Sequence, residues 1–368
     1  MKSAFTICFL ALVLACSYSA AYAFHDGGVA YCAGCHTMHN SQDGAKVAAT
    51  TVGNAYLLRS GNASDQCLSC HATYGQFKGG AGWGPGGDFY WLTKTYTYSS
   101  HGSNKTIKGE SHGHNIISPA NGLVADATLS HAPGGDFLSS RLTCTSCHDP
   151  HGRETFRLLY DDTGDGPIYG TSRYDFNNPA PEALGNSRET YAGKTGLETD
   201  AQHTIYKGGM SDWCANCHEN FHSDNTNNFV HPEGALEGMA DNYNAYVDTD
   251  HMLTGSQATA YRSLTPFEVV DADSTADPLN YTKGPDAGDQ VMCLTCHRAH
   301  AAAFPDAGRW DFGATYIVDS HPTAGDGGLG AADLTNKYYG YTFATNQRSL
   351  CNKCHAKDFG DEPRPVTP

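Results

Sequence analysis

The sequence predicts a mostly irregular, coil-rich polypeptide with short helices and few strands, wrapped around groups that it carries covalently. Two features of composition and one motif predict this class. Apolar residues make up 39% of the 368 positions and glycine accounts for 41 of them, so core-forming residues are scarcer and turn-formers commoner than in an ordinary globular domain. Such a chain buries little of itself and needs apolar surface from another source. The motif supplies that source: Cys-x-x-Cys-His occurs six times, spread from Cys32 to His355.

Each copy reads as an attachment site for haem c. The two thiols add to the vinyl groups of the porphyrin, and the histidine beside the second thiol, held by that tether, becomes the proximal iron ligand. In chain order the motifs are Cys32, Cys35 and His36; Cys67, Cys70 and His71; Cys144, Cys147 and His148; Cys214, Cys217 and His218; Cys293, Cys296 and His297; and Cys351, Cys354 and His355. The predicted fold is therefore a multihaem cytochrome c wrapped around a chain of six covalently bound haems. A zinc ribbon does not require a histidine directly after every second cysteine. A thioredoxin-like redox site has one such pair after a strand, and no copy here follows a convincing strand. Structural disulfides fail on bookkeeping, because 12 of the 14 cysteines lie in the motifs and the other two, Cys8 and Cys16, precede Ala23.

Residues 1–23 combine an early lysine, an apolar run from Ala4 to Cys16 and the ending Ala21-Tyr22-Ala23, the pattern of a secretory signal with its cleavage site. Val13-Leu14-Ala15-Cys16 offers the alternative of lipoprotein processing at Cys16. Residues 24–368 read as a single extended domain, since no long Pro- or Ser-rich linker divides the motifs. No later stretch is apolar enough for a transmembrane helix, so the mature chain is expected to be exported through the periplasm and to reside outside the cell or on its surface. A formal charge of −16, to which haem propionates add, argues against nucleic acid and anionic membranes as partners. Cationic or mineral partners fit that charge, as does a simple requirement for solubility.

The second axial ligands have to come from the remaining histidines. Six of the 19 are proximal, which leaves 13 for six irons, whereas only Met38, Met210, Met239, Met252 and Met292 are available as sulfur ligands after residue 23. Bis-histidine, low-potential, low-spin haems are expected throughout. Three residues span at most about 10 Å, so a histidine three positions after a proximal ligand cannot go round the macrocycle to its own iron. His39, His151 and His300, and His222 four positions after His218, should each serve a different haem. His25, His114 and His231 lie upstream of motifs followed by such histidines, which suggests three two-haem modules. His101, His112, His131, His203, His251 and His321 read as surface histidines.

Regular structure should be sparse. Gly79 to Gly87 reads as turns, Phe89 to Tyr98 as a strand, and Met210 to His222 and Gly238 to Val247 as helical turns. Pro85-Gly-Gly-Asp-Phe89 recurs as Pro133-Gly-Gly-Asp-Phe137, a repeated turn. Asp161-Asp-Thr-Gly-Asp-Gly166 resembles a calcium loop but has Ser172 at the twelfth position, so a solvated turn is expected. Gly82-Trp-Gly-Pro-Gly-Gly87 has proline where a dinucleotide-binding helix would open, which excludes that reading.

The start Phe24-His-Asp-Gly-Gly-Val-Ala, followed in order by CAGCHTMHNS, PGGDFYWLTKTYTY, GHNI, CTSCHDPHG, MSDWCANCH, HPEG, CLTCHRAH, YYG and RSLCNKCHAKD, resembles the outer-surface hexahaem c-type cytochromes that build extracellular nanowires. The resemblance fails between about Glu154 and Gln202 and between Tyr316 and Asn336, which therefore read as surface loops. It implies bis-histidine haems and head-to-tail polymers that pass electrons from upstream outer-membrane cytochromes to external acceptors such as metal oxides or electrodes. It also implies that His39 crosses to the fifth haem of the next subunit, held there by Cys293, Cys296 and His297, whereas the module pattern would send His39 to the haem of His71 in its own chain. Seven distal candidates remain: His25, His39, His114, His151, His222, His231 and His300. Two other classes compete. A monomeric periplasmic or secreted shuttle would have the same spacing, and a multihaem reductase would need one iron with an open face, against which six intact motifs and surplus histidines argue. The expectation is an electron carrier and not an enzyme.

Overall fold

The computed structural model describes residues 31–48, 52–72, 86–100, 102–164, 166–185, 198–222, 234, 238–247, 254–272, 275–339 and 341–355. Residues 1–30, which include His25, lie outside them, as do His101, His231, His251, residues 79–85 and the side chain of His222.

Glycine, proline and cysteine dictate short elements. The described α-helices are Cys32–Cys35, Ala63–His71, Met210–Cys214, Glu219–His222, Met239–Ala245, Cys293–Cys296 and Ala331–Asn336. The helix Ala63–His71 is capped by Asn62, whose side chain accepts from the Asp65 backbone N–H at 2.9 Å, and it ends on its own Cys-x-x-Cys-His. Strands occur as four antiparallel hairpins: β1 (Ser41–Gln42) with β2 (Ala45–Lys46), β3 (Tyr96–Ser100) with β4 (Ser103–Ile107), β5 (Ile168–Tyr169) with β6 (Ser172–Arg173), and β7 (Glu182–Leu184) with β8 (Ile205–Gly208). No described helix is long and apolar enough to cross a membrane.

The helical turns expected near Met210 and Gly238 are present, but the strand expected from Phe89 to Tyr98 is only half a strand. Phe89–Thr93 is a 3-10 helix, and β3 begins at Tyr96. Tertiary contact overrides the alternating pattern. Gly109 lies so close to the Leu92 carbonyl that a Cβ there would sit 2.1 Å from its oxygen, and Tyr90 donates to Asp333 at 2.5 Å. The two stretches read as surface loops are also partly interior. Leu158, Leu159, Tyr160 and Phe176 are buried in the first, and Ile317 and Ser320 are fully buried in the second.

Four small apolar clusters make up the described core. The first centres on Trp91, Phe304, Trp310 and Ile317, the second on Tyr243, Tyr261 and Phe267, the third on Leu68, Phe89, Ile116 and Leu123, and the fourth on Tyr206, Met210, Met292 and Leu294. A motif cysteine borders each one: Cys296, Cys354, Cys144 and Cys214 respectively. The chain thus concentrates its limited apolar surface where an attached porphyrin would extend it.

Replacing both Cys293 and Cys296 by serine is therefore expected to lower the yield of folded protein, and not only its haem content, because the first and fourth clusters abut this motif. Normal accumulation of a compact, monodisperse double variant in size-exclusion chromatography would contradict this account.

Candidate haem sites

The first, third and fifth motifs are built alike. After each motif the chain makes a tight turn with two successive left-handed residues: Tyr56 and Leu57, Arg157 and Leu158, and Asp306 and Ala307, with φ between 54° and 60°. Such conformations are costly for residues other than glycine. A backbone ladder to the motif holds each turn in place. Thr37, Asp149 and Arg298, directly after the motif histidines, donate to the carbonyls of Leu57, Leu158 and Ala307 at 2.7, 2.8 and 2.7 Å. In return Arg59, Tyr160 and Arg309 donate to Cys35, Cys147 and Cys296 at 2.8, 3.1 and 2.8 Å.

The turn aims one carbonyl at the motif histidine. Nδ1 of His36, His148 and His297 lies 2.9, 2.8 and 2.7 Å from the carbonyl oxygens of Tyr56, Arg157 and Asp306. The fourth motif uses another device: His218 Nδ1 meets the Pro133 carbonyl at 2.8 Å. Two predicted distal histidines are held the same way, His114 by Ala299 at 2.6 Å and His300 by Gly87 at 3.2 Å. A carbonyl only accepts, so Nδ1 must carry the proton and Nε2 keeps its lone pair, the tautomer that an axial iron ligand needs. Burial pushes His114 down to about 4 and His300 to about 3, and it also lowers His148 and His218. These rings are neutral at neutral pH.

Opposing imidazoles then come together from distant parts of the chain. A metal gripped between two imidazole nitrogens at roughly 2 Å each sets the ring centroids roughly 6 Å apart. His36 faces His151 at 6.1 Å, His218 faces His114 at 5.9 Å, and His148 faces His300 at 6.4 Å, with interplanar angles of 19°, 50° and 70°. Each pair joins a motif histidine to a predicted distal one. His151 and His300 both lie opposite a motif other than the one they follow, as the reach argument requires. Two of the pairs, His36 with His151 and His148 with His300, link one proposed module to another, whereas His114 with His218 stays within the second, so the three-module division is only partly respected. Each of the described motif thiols is at least partly accessible. This donor set fits six-coordinate haem c.

The second and fourth motifs dock onto the third and fifth. Ser64 in the helix leading to the second motif accepts from the Cys144 N–H at 3.1 Å, and Ser211, equally placed before the fourth, accepts from Cys293 at 3.0 Å. The repeated Pro-Gly-Gly-Asp-Phe turn belongs to the site as well. His300 N–H donates to Gly86 and Asn220 N–H to Gly134. The second glycine of each copy lies against a backbone carbonyl, where a Cβ would sit 2.0 Å from the Ala301 oxygen at Gly87 and 1.9 Å from the Cys217 oxygen at Gly135. The pentapeptide's exact recurrence was the sequence signal for this role, though a repeated turn alone did not identify it.

Several sequence expectations need correction. His112 and His203 are fully buried, not on the surface. His203 stacks on Tyr261 at 3.5 Å, and both its ring nitrogens lie against carbonyl oxygens, Thr204 at 2.9 Å and Tyr281 at 2.8 Å, so neither is free for a metal. His112 packs near Trp91 and Tyr96. His131 is exposed as expected, while His321 is half-buried and pairs with Asp326 at 2.7 Å. Met210, Met239 and Met292 are core residues and Met38 is exposed. Asp161 accepts from the Asp162 and Ala180 N–H groups, which fits a turn. His39, His71 and His355 are exposed.

No protein-family model matches the chain. It is 37% identical to the C-type cytochrome OmcS of Geobacter sulfurreducens, over 97% of this chain and 99% of that protein. Two solved structures resemble it along their whole length and over 91% of this chain: OmcS nanowires from Geobacter sulfurreducens by cryo-electron microscopy, with 34% identity and a TM-score of 0.74, and the Outer Membrane Cytochrome S filament of the same organism, with 35% identity and a TM-score of 0.75.

Gly135→Ala is expected to cost roughly 1–3 kcal/mol of stability through its overlap with the Cys217 carbonyl. Gly288→Ala, with open space around the site, should stay within about 0.5 kcal/mol of the parent. Denaturant unfolding of the two variants side by side measures the difference.

Proposed function

The chain belongs to the family of the C-type cytochrome OmcS, and from that premise we propose that it is an extracellular electron-transfer cytochrome with six covalently bound haem c groups that polymerises head to tail into conducting filaments. The observation that carries this reading is the set of facing imidazole pairs, His36 with His151, His148 with His300 and His218 with His114. Haem c, when bound, supplies a one-electron couple at its iron. Each facing pair would supply both protein ligands to its iron and leave no position for a substrate, so these side chains suit electron carriage and not catalysis. By drawing distal ligands from segments next to other motifs, the chain also brings neighbouring haem sites close together.

His71 and His355 are the proximal ligands of the second and sixth haems, with His25, His222 and His231 as the remaining candidates within the chain. His39 completes the fifth haem of the next subunit. Two observations support this assignment. Nδ1 of His297 is committed to Asp306 and its nearest ring is Phe312, and no imidazole faces it among the described residues. His39 is exposed, and the same stretch of chain exposes the apolar side chains Tyr31, Met38, Val52 and Tyr56, of the kind that protein contacts cover. A head-to-tail ligand bond generates an open chain of subunits. An amino terminus with the pattern of a secretory signal and the negative charge suit electron delivery outside the cell to metal oxides or electrodes, with outer-membrane cytochromes upstream.

His151→Ala, His300→Ala and His114→Ala should each let one carbon monoxide bind per reduced chain, whereas His112→Ala and His203→Ala should admit none. Difference spectroscopy makes the comparison. Carbon monoxide binding by the unaltered protein, or a large high-spin ferric fraction, would sink the closed-site reading.

For His39→Ala the expected result is five closed haems, one that binds carbon monoxide, and lost or shortened filaments in electron micrographs while the monomer still folds. Persistent filaments, with carbon monoxide reporting on the second haem, would make the ligand internal. Particles of monomer size in native solution would favour a shuttle.

A further inference from the structure

The threefold repeat around the first, third and fifth motifs places one residue at the same point in each copy: Arg59, Tyr160 and Arg309. Their equivalence is set by the backbone, since each donates its N–H to the second cysteine of its motif. The two arginines then do the same thing with their side chains. Arg59 Nη1 reaches back to the carbonyls of Ala33 and Gly34 at 3.3 and 3.4 Å. Arg309 Nε reaches the carbonyls of Leu294 and His297 at 2.6 and 3.0 Å, and its Nη1 reaches Ser263 at 3.1 Å. Ala33 and Leu294 are the same position of the motif, the residue after its first cysteine.

Neither guanidinium forms a salt bridge with a carboxylate among the described residues. Arg309 is 2% exposed, with Nη2 unpartnered, and Arg59 is half-buried. The third copy is organised differently. Tyr160 stands where the arginines would be, and Arg153 lies over its ring at 5.0 Å and is neutralised by Asp149 at 3.1 Å.

We infer that Arg59 and Arg309 set the potentials of the first and fifth haems, each clamping its Cys-x-x-Cys-His turn through backbone carbonyls while holding against that haem site a positive charge that no described carboxylate pairs with. The inference rests on the proposed haem ligation at these motifs. A fixed cation disfavours the ferric iron more than the ferrous one, so each arginine raises the reduction potential of its haem. Burial strengthens the effect, because a half-buried or buried charge is weakly screened.

Replacing arginine by glutamine keeps a hydrogen-bond donor for the clamped carbonyl and removes the charge, whereas lysine keeps the charge. The first haem is distinguishable from the third, because its near-parallel imidazoles, at 19°, give a different low-spin ferric resonance from the 70° pair. In a redox titration followed by electron paramagnetic resonance, Arg59→Gln should lower the midpoint of that signal. At the native midpoint the ratio of oxidised to reduced haem should rise roughly three- to tenfold, tenfold being 59 mV for one electron. Arg59→Lys should remain near the parent, and the signal of the third haem should not move in either variant. Arg309→Gln should move one further haem of the six in the same direction; if this buried site does not tolerate the change, the Arg59 pair decides. An unchanged midpoint in Arg59→Gln, or an equal fall in Arg59→Lys, would overturn the inference. Haem content by pyridine haemochrome and the low-spin signal itself report separately on ligation, so their loss would count against the haem assignment and not against the role of charge.

Discussion

A hydrogen bond from imidazole Nδ1 to a backbone carbonyl is the interaction on which the rest of this structure depends. It recurs at His36, His114, His148, His218, His297 and His300. Because the acceptor has no proton to give, the bond decides the tautomer, and because the ring is planar it also decides where Nε2 points. Much of the irregular backbone exists to deliver those carbonyls. Left-handed residues at Tyr56, Arg157 and Asp306 are unfavourable locally, and each is retained by ladder bonds on both sides of its motif.

The same requirement explains why so little regular structure is needed. Long helices or sheets would use up backbone carbonyls in repetitive pairing, whereas turns leave them free to point at individual side chains. The apolar clusters are correspondingly small and lie beside motif cysteines. Facing histidines join segments far apart in the sequence, so metal coordination can take over cross-linking that a large core would otherwise provide.

Two overlapping symmetries organise the chain. Odd-numbered motifs share the left-handed turn and its ladder, while the second and fourth motifs each dock through a serine onto the motif that follows. Both patterns leave traces in sequence, in Ser64-Asp65 and Ser211-Asp212 before two motifs and in the two Pro-Gly-Gly-Asp-Phe turns. The trace of the left-handed turn is weak. Ala-Tyr-Leu-Leu-Arg, Phe-Arg-Leu-Leu-Tyr and Pro-Asp-Ala-Gly-Arg share a conformation with little shared chemistry, because the ladder to the motif and not the side chains imposes it.

The sequence by itself determined the covalent chemistry, the coil-rich class and the direction in which His151 and His300 must look. All three follow from local facts: five adjacent residues make an attachment site, composition limits the core, and a three-residue span is too short to round a porphyrin. Tertiary structure decided which imidazoles meet, that His112 and His203 belong to the interior, and that residues 89–93 coil instead of extending. Those outcomes depend on contacts between residues remote in sequence, such as Leu92 with Gly109 or His203 with Tyr281. No local pattern encodes the carbonyl that a distant part of the chain will present to a given histidine, whether Pro133 to His218 or Tyr281 to His203.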